Sequence, residues 1–233
     1  MIIRLFSFSV SILFFCTISY PQNHEKCGFD HKHNALLQNL AYKNLIEKSE
    51  AEIKQYRLNQ NKSSQVYNIP VVVHVLHKGE AVGTGTNISD AQINSAISHL
   101  NQVYRGQTAN SPTDFGIQFS LAQQDPNCNA SNGINRINAS AIPNYSSGGV
   151  DYYGDGGEAD ENDLKDLSKW PVSDYFNIWI VSEIENNNGG SGVQGYANFF
   201  TGSNTYEGSM MMANVFGYDP VSYTHLTLPT KCW

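Results

Sequence analysis

The sequence predicts an α+β domain built on a largely parallel sheet, and three successive stretches predict it. The run IPVVVHVLHKG is apolar and β-branched, too continuous for a strand with one wet face, so it is expected to be covered on both. It is followed by NISDAQINSAISHLNQVYRG, which has helical spacing and its own start and stop signals. A second strand-like run, FGIQFSLAQQD from Phe115, comes next. Strand, helix and strand in that order imply a right-handed crossover between parallel strands.

The chain has 233 residues, 40% of them hydrophobic, enough for one domain with a core or for a domain and a shorter appendage. It begins MIIRLFSFSVSILFFCTISYPQ, with one positive residue, Arg4, an apolar run from Leu5 to Ile18, and polar residues after Tyr20. This is the pattern of a secretory signal peptide cleaved near Ser19 to Gln22. A membrane anchor is the alternative, but the run is short for a span. No stable membrane association is therefore expected after cleavage, and the mature protein is expected outside the cell. With 14 basic and 21 acidic residues the net charge is −7, and no Lys/Arg cluster occurs, which excludes a nucleic-acid partner.

Beyond the leader, Asn34 to about Leu58 places Leu37, Leu40, Ile46 and Ile53 near helical spacing among charged residues, as in an amphipathic helix with a solvated outer face. The polar stretch NQNKSSQ, Asn59 to Gln65, then reads as a linker or processing site. The central strand is expected over Ile69 to His77. Ser89 is placed to cap a helix whose Ile93, Ile97, Leu100 and Tyr104 share a face, and Gly106 to end it. The stretches NCNASNGINRINAS and NYSSGGVDYYGDGGEADEND read as loops, closed by a short helix in ENDLKDLSKW. FNIWIVSEI, Phe176 to Ile184, is a third strand. GVQGYANFF, Gly192 to Phe200, holds two glycines and suits an edge strand or one bordering a groove, and GSMMMANVFG, Gly208 to Gly217, makes a fifth.

Candidate chemistry is sparse along these elements. His74 and His77, three apart on a strand, point to opposite faces and read as structural histidines. The acidic loop DYYGDGGEADEND departs from an EF-hand at Tyr153 and Asn162; it reads as solvated, with an irregular calcium site as the alternative. No nucleophile elbow is present. Asn-x-Ser triplets at Asn61, Asn87, Asn129, Asn138 and Asn144 mark positions expected to be exposed.

Taken together, IPVVVHVLH, NISDAQINSAISHLNQVYRG, IQFSLAQQDPNCNASNGINR, FNIWIV, GVQGYANFF and MMANVFG resemble the front half of the catalytic domain of the pappalysin-like zinc metalloproteases of the metzincin clan, over roughly Tyr67 to Tyr218. The resemblance implies a mixed five-stranded sheet, four strands parallel and the groove-side edge strand antiparallel. It implies a secreted zinc endopeptidase made as a zymogen, in which a zinc-bound water attacks the peptide carbonyl and a glutamate serves as base. It further implies that Gln194, Gly195, Tyr196 and Ala197 pair with the backbone of a protein or peptide substrate. For Gly195 a plain bulge is the alternative.

In that family an H-E-x-x-H-x-x-G-x-x-H helix follows the fifth strand. Here the chain reads DPVSYTHLTLPTKCW. Thr224-His225 resembles the Thr-His before the family's glutamate, but Leu226 stands in place of the base and Pro229 in place of the second histidine. The expectation is an incomplete, inactive fragment without its C-terminal subdomain, ending in a tail of foreign sequence; a natural inactive ending and an ordinary loop-rich terminus are the alternatives. Cys232 then falls in that tail, which accounts for the odd set Cys27, Cys128 and Cys232 left after the leader is removed.

Near the N-terminus, HEKCGFDHKHN is dense in ligand-type residues but lacks paired zinc-ligand spacings. By the same resemblance, Cys27-Gly28 is a latency element whose thiolate fills the open position on zinc. A self-contained zinc site and a plain exposed segment are the alternatives. The expected organisation is a signal peptide over 1–20, a propeptide with an amphipathic helix over 21–66, the N-terminal catalytic subdomain over 67–220 and a non-native tail over 221–233. A non-enzymatic exported binding or adhesion module with an α/β fold is the competing function.

Overall fold

The computed structural model describes residues 27–59, 65–188, 190, 192–197 and 205–217. The leader and the C-terminal tail expected from the sequence lie outside the described residues. The element order is α1 (Phe29–Leu36), α2 (Leu40–Asn59), β1 (Tyr67–His77), α3 (Asp90–Tyr104), β2 (Ile117–Leu121), β3 (Ile134–Asn138), α4 (Tyr145–Gly148), α5 (Glu161–Asp166), β4 (Phe176–Val181), β5 (Gly195–Ala197) and β6 (Ser209–Met212).

The eleven residues of β1 form the centre of a mixed sheet, with Val71 to Leu76 fully buried as the unbroken apolar run requires. On one edge β1 pairs in parallel with β4, from Val71 opposite Phe176 to Val75 opposite Ile180. On the other edge two short strands share its length: β2 takes Tyr67 to Val71 and β3 takes Val73 to His77, both parallel. The sheet continues from β4 to parallel β6 and ends on antiparallel β5. Five strands were expected and the described residues form six, but β2 and β3 lie end to end, so the lateral positions number as expected and the antiparallel edge is where the resemblance implies.

The sixth strand corrects the loop reading of NCNASNGINRINAS. Ile134 and Ile137 are three apart and show no alternation, so nothing local marks a strand. What makes one is the free C-terminal half of β1, whose amides and carbonyls need partners. Within it, Arg136 donates from Nη1 to the Asn87 side chain at 2.6 Å and to the Ile88 carbonyl at 2.7 Å, and its Nη2 pairs with Asp90. Asn87 is thereby only 3% exposed, against the expectation that its triplet marks an accessible place. Asn129, Asn138 and Asn144 are exposed.

Ser89 caps α3 as expected, its hydroxyl accepting from the Gln92 amide at 3.1 Å, and Gly106 follows the helix at φ +66°. Ile93, Ile97 and Leu100 are buried, while Val103 rather than Tyr104 completes the buried stripe. At the sheet's edge, the Asn101 side chain donates to the Phe119 carbonyl at 2.8 Å and accepts its amide at 2.7 Å, so a side chain supplies the partners that β2 lacks on its outer side.

The expected single N-terminal helix is two. Asn39 interrupts it: its side chain accepts from the amides of Ala41 and Tyr42 at 2.9 and 3.3 Å and starts α2 afresh. Of the proposed apolar face only Ile46 is buried; Leu40 is 72% exposed and Ile53 47%. The short helix expected in ENDLKDLSKW is α5, capped by Asp160, and α4 is a further turn inside a segment read as loop.

His74 is fully buried, stacked on Trp179 at 5.3 Å, and its Nε2 lies 2.8 Å from Asn177 Oδ1. Because that oxygen accepts, Nε2 carries the proton and Nδ1 is left to accept from Asn135. Burial lowers the His74 pKa to about 4, against the opposing pull of the Asn177 hydrogen bond. A histidine held neutral in the fold favours folding fully above its unfolded value, and this contribution fades as pH falls from about 6.5 through 4. Urea unfolding between those pH values is expected to lose about 3 kcal/mol from this group, and His74→Gln to flatten that part of the profile.

Candidate functional site

The site is built around the free edge of β5. Gly195, Tyr196 and Ala197 face Met211, Met210 and Ser209 of β6 on one side. On the other side lies the N-terminal segment: Cys27 bridges Gly195 in parallel, and the Gly28 amide donates to the Gly195 carbonyl at 3.0 Å. The chain thus lends its own backbone to the edge strand. Gly195 is a glycine for the sake of β6, since a Cβ there would lie 2.4 Å from Met211 Sδ and 3.0 Å from the Met210 carbonyl oxygen.

Gly28 is held just as closely from the other direction. A Cβ on it would sit 2.8 Å from the ring of Tyr152, whose hydroxyl donates to the Gly28 carbonyl. That ring cannot retreat easily: it is 4% exposed and packs against Tyr196 at 5.0 Å and Tyr153 at 4.9 Å. The glycine of the Cys-Gly pair therefore has a steric reason that no local sequence signal carries. Cys27 is disulfide-bonded, and Cys128 is a free, exposed thiol.

One helical turn further on, Lys32 reaches Glu161 in the first turn of α5. Glu161 also pairs with Lys165, at 2.6 Å, and Lys165 is 1% exposed. The Lys165 ammonium is closed in by the Tyr206 carbonyl at 2.9 Å and the Trp179 ring at 4.7 Å. Burial would raise the Glu161 pKa, but the two ammoniums outweigh it and hold the carboxyl down at about 2. Burial pushes Lys165 below its ordinary value, against the pull of Glu161.

Of the remaining ligand-type residues described, His31 approaches this edge, its ring 5.5 Å from that of Tyr152, and the others are engaged elsewhere. His31 meets Tyr153 edge-on at 5.1 Å, and His33 stacks on Phe29 at 5.3 Å with its Nδ1 3.1 Å from the Tyr42 hydroxyl. His74 and His77 are engaged separately, the latter accepting from the Gly79 amide at 3.0 Å. Among the described residues, one group of side chains lies close enough to share an ion: Asp151, Asp155, Glu158 and Glu185. It offers only carboxylate oxygens, a donor set that does not suit zinc. Its members already serve the loop, Asp151 accepting from the Gly154 and Gly156 amides at 2.5 and 2.8 Å and Glu185 from the Tyr153 amide at 2.8 Å. His225 lies outside the described residues.

With this geometry in place, solved structures supply the context. The fold is similar to that of promirolysin from Tannerella forsythia, in a Glu-to-Ala variant, with a TM-score of 0.61 and 27% identity over 86% of this chain and 64% of that one. Its structural neighbours are metallopeptidases of the metzincin-like clan. Mirolysin in complex with a compound gives a TM-score of 0.48 and 29% identity over 68% of this chain and 56% of that one. Mature mirolysin from Tannerella forsythia in complex with a cleaved peptide gives 0.48 and 30% over 70% and 60%. The chain thus spans less than two thirds of the length of these structures. No family model and no curated protein matches it.

The buried pair gives a direct test of the site's electrostatics. Glu161→Gln leaves the Lys165 ammonium buried without its countercharge and is expected to cost about 3–5 kcal/mol of stability in urea unfolding, part of which Lys165→Met in the same chain restores.

Proposed function

We propose that the parent protein is a secreted zinc-dependent metalloendopeptidase of the pappalysin-like type, made as a zymogen, and that this chain, which covers 64% of the promirolysin chain, has no peptidase activity of its own. The observation that carries this reading is the Gly28 to Gly195 pairing on the outer edge of β5. In a fold similar to promirolysin, a propeptide segment there denies a substrate backbone the amides and carbonyls around Gln194, Gly195, Tyr196 and Ala197. The propeptide would span 21–66, after a signal peptide over 1–20.

The described residues do not fit a catalytic zinc, because they bring together no set of histidine or cysteine ligands. Zinc, if it is held, is held by residues outside them, and no chemical step is assigned to this chain. Cys27 keeps its proposed role as latency ligand only as a reduced thiol, since a disulfide sulfur has no thiolate to offer.

The test has a genetic and a biochemical arm. Coding DNA beyond Pro220 is expected to run on into an H-E-x-x-H helix, and the purified chain to hold far less than one zinc and to cleave no peptide. Chelator-sensitive proteolysis by the chain itself contradicts its inactivity. A stop codon directly after Trp233 in the genome contradicts the protease reading and leaves an exported binding module.

A further inference from the structure

One charge at the β5 edge goes beyond what the core needs. The buried Lys165 ammonium and the Glu161 carboxylate neutralise one another at 2.6 Å, so burial of that pair is already balanced. Lys32 nevertheless brings a second ammonium to the same carboxylate, with 19% of its side chain exposed against 14% for Glu161. It does so over two rings: Lys32 Nζ lies 4.2 Å from the Tyr196 centroid and 5.1 Å from that of Tyr152. An acid and two aromatic faces around one alkylammonium are the elements of a cation-binding box.

The box is assembled without help from its guest. Tyr196 is positioned by the ladder to Met210, and Tyr152 by the Glu185 carboxylate that accepts its amide and by packing on Tyr153 and Tyr196. Glu161 is fixed by α5 and by Lys165. All of these belong to the sheet-bearing part of the chain, whereas Lys32 arrives on α1, which buries no residue of its own. Its attachment therefore depends on partly exposed contacts, the Lys32 ion pair and the His31 ring against those of Tyr152 and Tyr153.

We propose that Tyr152, Tyr196 and Glu161 form a receptor for a primary alkylammonium group, and that its resident ligand is the Lys32 side chain, which latches the N-terminal segment across the edge of β5. This site needs neither a metal nor the Cys27 sulfur, so it stands independently of the protease reading. Lys32 and the Gly28 amide act at adjoining points, one on the box and one on the strand, and loss of the first frees the second.

The test uses the full chain and reads hydrogen exchange site by site. Lys32→Ala is expected to speed exchange at the Gly28 amide and through α1 on the order of tenfold, with β1 and β4 unchanged as the check that the fold persists. Titrated n-butylammonium is expected to restore protection in Lys32→Ala saturably while leaving the wild type, whose box is filled, unaffected. n-Butanol, of similar shape without the charge, is expected to restore nothing. Unchanged exchange in Lys32→Ala, rescue by butanol as good as by butylammonium, or an equal response of the wild type to the amine overturns the proposal.

Discussion

The structure depends on one constraint: β1 is bonded along both edges and covered on both faces, so each backbone group of its C-terminal half must find a partner inside the protein. Parallel β4 meets that demand on one side, and β2 and β3 divide it on the other. Because β4 is itself buried from Asn177 to Val181, it in turn requires β6, and β6 requires β5. The last of these is a three-residue strand whose outer edge faces no further strand of the sheet among the described residues. An open edge beside a buried sheet is where another extended backbone can bind. In this chain that backbone is Cys27-Gly28.

Beside the Gly28 to Gly195 bond, a close contact at Gly28 and an ionic one at Lys32 fit the N-terminal segment to this edge, and they differ in range. The glycine contact is steric and short: the Tyr152 ring leaves no room for a Cβ at position 28. The ionic contact is longer and runs into the interior, because Glu161 links the Lys32 ammonium to the Lys165 ammonium, which is buried against Trp179. The same aromatic cluster, Tyr152 and Tyr196, serves both contacts. The acidic quartet beside it, Asp151, Asp155, Glu158 and Glu185, shapes the loop that carries Tyr152. Glu158 shows the crowding, since burial and then the charges of Glu185, Asp155 and Asp151 raise its pKa.

The sheet was legible in the sequence wherever burial on both faces forces continuous apolar runs, as in Val71 to Val75 and Ile178 to Val181, and wherever a local cap is spelled out, as at Ser89. It was illegible where the partner decides. INRIN becomes a strand because β1 has length to spare, and Asn87 is buried because Arg136, far along the chain, reaches it. The break at Asn39 was present as a capping residue but hidden by leucines that keep helical spacing across it. At the site, Gly195 was legible as an edge glycine, although its reason is Met211. The box of Tyr152, Tyr196 and Glu161 was not, because its members and Lys32 come from three separate elements and a loop, and no spacing joins them.

The N-terminal segment occupies the edge of β5 through the bond from Gly28 to Gly195. The most direct measurement is the scalar coupling transmitted across that hydrogen bond, from the Gly28 amide nitrogen to the Gly195 carbonyl carbon, in isotopically labelled full-length protein. A resolvable coupling and a Gly28 amide protected from solvent are expected. Absence of the coupling, with the Gly28 amide exchanging as fast as in an unfolded peptide, would contradict that pairing.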